Sequence, residues 1–238
     1  MTMSGKKVII MGGSSGIGLE TAKVAAAKGA VVTITGRDQD KIQSALKELP
    51  GTANGVSVDV TSAIDIHEFF NREGAFDHLV LSLSGKGGGG PFGSLDVSTL
   101  RQAFDVKFFG YFTTLQAGLG MIRPGGSVVM ITAGSARHPF PGTSGLAAIN
   151  GALECMVPTL AVELKPLRVN AVSPGVINTP WWGDLPPETR EKTFTQLASQ
   201  TLVGRIGRTE DVAQAVMFLM RNTYMTGAVI ACDGGMGL

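Results

Sequence analysis

The sequence predicts an α/β fold: a doubly wound parallel sheet of about seven strands with helices on both faces. Three observations carry that expectation. Short apolar and β-branched runs alternate with longer helical patterns along the whole chain. A glycine-rich turn follows the first apolar run directly. No linker, repeat or shift of composition divides residues 1–238, so one domain is expected.

The elements follow in order. KVIIM (7–11) reads as the first strand, and residues 16–28 as the helix that returns from it. AVVTIT (30–35), VSVDV (56–60) and HLVLSL (78–83) read as further strands, with helices at 39–48 and 62–72 between them. GKGGGG (85–90) reads as a loop at the open end of the fourth strand, where ligands bind in such sheets. A helix is expected over 98–122, then the strand SVVMIT (127–132). The next helix spans 143–164. Thr143 and Ser144 can cap it, Leu146, Ile149 and Leu153 repeat at helical spacing, and Pro158 should bend it by removing the bond to the Glu154 carbonyl. RVNAV (168–172), a helix at 209–221 and AVIAC (228–232) complete the pattern.

Composition excludes several classes. Net charge is +1 with scattered Lys and Arg, which gives no electrostatic surface for nucleic acid or membrane. Cys155 and Cys232 lack metal-ligand spacing and are expected as reduced thiols; no metal is expected. The start, MTMSGKKVIIMGG, is too short for a signal peptide, and no apolar run is expected to span a bilayer. A cytoplasmic protein is the expectation.

The turn after the first strand is MGGSSGIG (11–18). Gly12 lets the chain turn off the strand, while Gly16 and Gly18 allow close approach of backbone to a ligand and of helix to sheet. The helix start at Ser15, Gly16, Ile17 and Gly18 offers free N–H groups to a pyrophosphate. The second strand ends in Thr35, Gly36, Arg37, Asp38. Gly36 stands where an acid would hold a ribose 2′-hydroxyl, and Arg37 suits a 2′-phosphate, with the Ser14 hydroxyl beside it. The expected cofactor is NADP(H) on a Rossmann-like domain, with Asp38 as the residue that argues the other way.

At this point the chain resembles the short-chain dehydrogenase/reductase family over nearly its full length. MGGSSGIG resembles the family's TGxxxGxG, with Met11 replacing the Thr. VDV (58–60) is similar to the family's adenine-contacting Asp-Val, which implies Asp59 and Val60. RVNAVSPGVINTP (168–180) resembles the stretch that holds the nicotinamide carboxamide, which implies Pro174, Gly175, Ile177 and Thr179. VGRIGRTEDVAQAVMFL and TGAVIACDGG resemble the family's C-terminal segments. Leu81, Ser82, Leu83 and Ser84 replace the family's Asn-Asn-Ala-Gly, and Ser84 stays a cofactor candidate by position.

The family's catalytic Asn, Ser, Tyr and Lys map onto other residue types. The resemblance puts Lys107 at the Asn position, Ala133 at the Ser, Leu146 at the Tyr and Asn150 at the Lys. Cation and amide are thus exchanged between two walls of the pocket. Lys107, flanked by Phe104, Phe108, Phe109 and Phe112, is the candidate proton donor, because desolvation lowers a lysine pKa. It is expected to reach toward Asn150, directly or through a water, and Asn150 to hold the nicotinamide ribose. Thr132 is the next candidate, then Ser135 and His138. Trp181 and Trp182 fall in the family's substrate loop, here near 179–205.

The expected function is an NADP(H)-dependent oxidoreductase acting on a carbonyl or imine of a small, apolar substrate. The alternatives are a non-redox lyase or cyclase using Lys107, or a catalytically silent NADP(H)-binding or regulatory protein. The helix from Thr143 is apolar around most of its circumference, and the family pairs this helix between subunits. A homotetramer, or a homodimer, is expected.

Overall fold

The computed structural model describes residues 3–85 and 87–238; Lys86 of the glycine-rich run lies outside the described residues. One seven-stranded sheet, parallel throughout, runs in the order β3-β2-β1-β4-β5-β6-β7. The strands are β1 (Lys7–Met11), β2 (Val31–Gly36), β3 (Asn54–Ser57), β4 (Phe76–Leu81), β5 (Ile122–Ile131), β6 (Arg168–Pro174) and β7 (Val229–Cys232). The helices are α1 (Gly16–Ala27), α2 (Gln39–Leu46), α3 (Ala63–Glu73), α4 (Val97–Phe104), α5 (Gly110–Gly118), α6 (Ser144–Glu163), α7 (Pro187–Ala198) and α8 (Thr209–Arg221).

Strand periodicity divides the core into two layers. Val8 and Ile10 of β1 face one side and join Ala22, Ala25, Val212 and Val216 of α1 and α8. Ile9 and Met11 face the other and join Phe69, Phe70, Tyr111, Leu153 and Val157 of α3, α5 and α6. Successive side chains of a strand point to opposite faces, so a strand covered on both sides is apolar except where a polar side chain finds a buried partner, as Asp77 does with Lys6 and Arg123 and His78 with Ser127. The six residues of β4 are all buried. Helix α8 ends on β6: the Arg168 guanidinium donates to the carbonyls of Leu219, Met220 and Asn222 at 2.8–2.9 Å and closes its C-terminus. Strand order reverses between β1 and β4, which opens a crevice at the C-terminal ends of the strands.

The structure corrects several expectations. VSVDV is not one strand: β3 is Asn54–Ser57, and Asp59 lies beyond it in a turn held by its own carboxylate. The helix expected over 98–122 is interrupted. Between α4 and α5 the chain widens into a π-helical turn, Asp105–Phe109, and a 3₁₀ turn, Leu119–Met121, follows α5. Helix α7 falls in the segment read only as a substrate loop. Thr143 sits at the N-cap of α6, but its hydroxyl donates back to the Phe140 carbonyl and caps nothing. The Leu146 N–H is satisfied instead by the Gly88 carbonyl at 3.0 Å. A Cβ on Gly145 would lie 2.6 Å from that oxygen, so glycine is required at this close approach. Helix α6 continues through Pro158 to Glu163, close to the span expected. By length and composition α6 is also apolar enough to cross a bilayer, contrary to expectation. It lies on the sheet instead, with Ile149, Leu153 and Val157 buried.

Candidate active site

The first wall of the crevice is the turn between β1 and α1. Gly12 has φ +82°, and a Cβ there would sit 2.5 Å from the Ser82 carbonyl oxygen. A Cβ on Gly18 would run into the Gly12 carbonyl. The loop is therefore folded as tightly as backbone allows, and α1 begins inside it. Ser15 is the N-cap of α1 yet makes no side-chain cap bond, so the first N–H groups of the helix are left for another acceptor. Gly16 faces Thr179 and Pro180, whose side-chain carbons lie 3.6–3.8 Å from where its Cβ would be. The turn and the 179–180 segment thus lie within van der Waals reach of each other.

At the end of β2, Gly36 abuts Ser14: a Cβ there would lie 2.8 Å from the Ser14 hydroxyl. The Asp38 carboxylate is engaged, because it caps α2 by accepting from the N–H groups of Asp40 and Lys41 at 3.0 and 3.1 Å. Arg37 is exposed between them. Asp59 accepts from the Thr61 N–H at 2.9 Å and the Thr61 hydroxyl at 2.8 Å, which holds its carboxyl below the usual range; the Arg37 charge acts in the same direction. Val60, the other candidate of that pair, is buried in the core beside Leu83 and Gly110. Ser84 is exposed at the end of the strand connection.

Deeper in the crevice, β5 ends at Ile131 and Thr132 follows it. Tyr111 ties this level together, its hydroxyl donating to the Ile131 carbonyl at 2.7 Å. Lys107 comes from the π-helical turn, a widened turn of the kind that recurs at functional sites. The residue is partly buried, and its ammonium donates to the Thr132 carbonyl at 3.4 Å, a long bond. Desolvation pulls its pKa down to about 8, against the nearby charge of Glu154, which raises it. The expected bond from Lys107 to Asn150 is not among the hydrogen bonds of the described residues. Asn150 Nδ2 donates to its own helix at the Leu146 carbonyl, 2.8 Å, and to Ser135 Oγ, 3.3 Å. Its Oδ1 is buried with no partner among the described residues. Turning the amide over would set two carbonyl oxygens against each other, so this orientation is fixed.

A family model described as enoyl-(acyl carrier protein) reductase matches residues 12–237. ATR9 of Stachybotrys chlorohalonatus, a short-chain dehydrogenase/reductase, is 32% identical over 253 residues, spanning 98% of each chain. The chain belongs to the short-chain dehydrogenase/reductase family. Solved structures agree with this membership. A small-chain dehydrogenase in complex with NADPH superposes with a TM-score of 0.86 and 30% identity, covering 98% of this chain and 99% of that one. The MalC reductase/Diels-Alderase of Malbranchea aurantiaca gives 0.90 and 25%, covering 98% and 97%.

In this dehydrogenase/reductase the nicotinamide-side candidates are backbone elements already in use for the fold. Gly175 N–H donates to the Cys232 carbonyl, and the Ile177 carbonyl accepts from the Trp182 indole N–H at 3.0 Å. Trp182 is thereby pinned, with Phe194 of α7 edge-on to it, while Trp181 stays half exposed. His138 is not loose on its loop; its Nε2 lies 3.1 Å from the Asp233 carboxylate.

Sequence reasoning missed Glu154 and Arg137. Glu154 Oε1 accepts from the Thr132 hydroxyl at 2.8 Å, and Oε2 accepts from Arg137 Nε at 2.8 Å. The signal was available: Glu154 is the lone Asp, Glu, Lys or Arg between Arg137 and Glu163, on an otherwise apolar helix. It lies four residues after Asn150, on the same face.

Proposed function

We propose that the protein is an NADP(H)-dependent oxidoreductase that acts on the carbonyl or imine of a small, apolar substrate, with Lys107 as the proton donor. The observation that carries this reading is the position of Lys107. It is a desolvated ammonium held at the C-terminal end of β5, with Ala133 next in the chain. Alanine carries no proton, and neither does Leu146, the residue that resemblance sets in the tyrosine place.

The residues present fit a dinucleotide. The tight glycine turn and the uncapped start of α1 suit the pyrophosphate. At the adenosine end, Gly36 has no carboxylate to repel a 2′-phosphate and the Asp38 carboxylate is taken up by α2. Arg37 and the Ser14 hydroxyl are left to receive the phosphate. Bound there, NADP(H) supplies or takes up the hydride. During reduction Lys107 gives its proton to the substrate oxygen or nitrogen and recovers it from solvent. A pKa near 8 keeps most of the group charged at neutral pH while leaving the proton easy to transfer. Thr132 holds the ammonium through its carbonyl. We assign residues 179–205 as the substrate loop, since Thr179 and Pro180 pack beside Gly16 of the glycine turn and Trp181 presents an apolar surface next to them.

A second reading is a non-redox lyase or cyclase in which Lys107 is the acid–base group. Its support is the name of one structural relative, a reductase/Diels-Alderase. Following NADPH oxidation against a panel of apolar ketones, aldehydes and cyclic imines separates the readings. NADPH consumed in step with product supports the first. Product formed with NADPH unchanged supports the second. Tight NADPH binding with no product across the panel contradicts both and leaves a binding protein.

A further inference from the structure

We propose that Glu154 is a positioning residue of this site: it holds Thr132, on which Lys107 rests, and its carboxylate charge favours the charged form of Lys107. The inference rests on the reading of Lys107 as proton donor.

Thr132 is held from several directions and joins the two charged groups. Its N–H donates to the Val172 carbonyl at 2.9 Å, and its hydroxyl donates to Glu154 at 2.8 Å. Its own carbonyl receives Lys107 at 3.4 Å. Glu154 and Lys107 thus meet on one residue, the carboxylate at its hydroxyl and the ammonium at its carbonyl.

Glu154 is itself immobilised. Its side chain is only 10% exposed, and its second oxygen takes the Arg137 Nε bond. Arg137 in turn reaches the Val229 carbonyl of β7 at 3.5 Å. A carboxylate on an apolar helix is costly to bury and is kept only where partners compensate it. Those partners converge on the end of β5.

The charges around Lys107 are also accounted for. From α6 it faces Glu154, whose charge favours the ammonium. Arg137, on the turn after β5, is paired with that same carboxylate. His138 and Asp233 are closed on each other, and Asp105 on the lysine's own turn is exposed. Removing the Glu154 charge leaves the Lys107 ammonium with desolvation alone. Removing Arg137 leaves more of the Glu154 charge for Lys107.

The test is the pH titration of the Lys107 ε-carbon by NMR on lysine-labelled full-length protein, the resonance being assigned by its loss in Lys107→Met. The wild type is expected to titrate near pH 8. Glu154→Gln keeps the shape and the acceptor for Thr132, and its midpoint is expected to fall by roughly half to one pH unit. Arg137→Met is expected to shift the midpoint upward. A midpoint unchanged in folded Glu154→Gln overturns the inference. If Glu154→Gln does not fold, Arg137→Met decides it alone, and a midpoint unchanged or lowered there is the overturning result. Failure of the underlying reading looks different: Lys107→Met would stay active whatever the titrations show.

Discussion

Lys107 Nζ rests on the main-chain carbonyl of Thr132, 3.4 Å away, so a π-helical turn on one layer delivers an ammonium to the end of a central strand. That delivery has a thermodynamic cost. The folded-state pKa is near 8 against an ordinary 10.5, so between those values the unfolded chain binds more protons. Stability then rises with pH across that window, and the full penalty applies below pH 8. Lys107→Met should therefore stabilise the protein at pH 7 by on the order of 1–3 kcal/mol, discounted for the lysine's partial exposure. The gain should shrink as pH rises from 8 toward 10.5. Urea unfolding of both proteins at pH 7 and pH 10 checks it; an equal difference at the two pH values would count against a desolvated ammonium.

The fold was legible because strand and helix periods alternate cleanly, and because β1, covered on both faces, had to be continuously apolar. What escaped was local. Asp59 reads as strand by composition, yet its carboxylate finds the Thr61 N–H and makes a turn instead. The π-helical turn leaves no periodic signature, since five residues of DVKFF fit an ordinary helix as well. The exchange of Lys107 and Asn150 suggested a contact between them, but pattern cannot foresee that Asn150 bonds its own helix. Glu154 was overlooked because a single glutamate on a helix is usually solvated. Only the fold brings Thr132 and Arg137 to it.

His78 gives an acid limit to stability. It is buried on β4 with Nδ1 2.8 Å from Ser127 Oγ on β5, and burial, chiefly, pulls its pKa from 6.5 to about 4. As pH falls below 6.5 the unfolded chain takes up a proton that the folded chain refuses, so stability falls until about pH 4. The loss over that range should be about 2–3 kcal/mol. His78→Asn should flatten this part of the stability–pH curve even if it lowers the plateau. Parallel curves for the two proteins would show that other groups govern the acid transition.

Arg37 should decide cofactor choice. Calorimetric titration should show NADPH binding more tightly than NADH in the wild type. In Arg37→Ala, NADPH should weaken by about 10- to 100-fold, the range of a charge-assisted contact, with NADH nearly unchanged. Equal wild-type affinities would remove the basis for the NADP(H) assignment.

Assembly should follow from apolar surface left uncovered on one chain. Phe109, the last residue of the π-helical turn, and Phe112 of α5 are 52% and 40% exposed, and Val162 on α6 is 71% exposed. Light scattering at micromolar concentration should give a homotetramer or homodimer, and Phe112→Glu should lower the mass. A wild-type monomer would contradict this.

The central claim, that Lys107 supplies the proton, is tested most directly by kcat in Lys107→Met on the first carbonyl or imine the wild type reduces, measured alongside NADPH affinity. Loss of a positioned general acid should lower kcat by about 10²–10⁴-fold, with the NADPH Kd changed by no more than about twofold. A variant that keeps wild-type kcat would contradict the account and put the proton source elsewhere in the cleft.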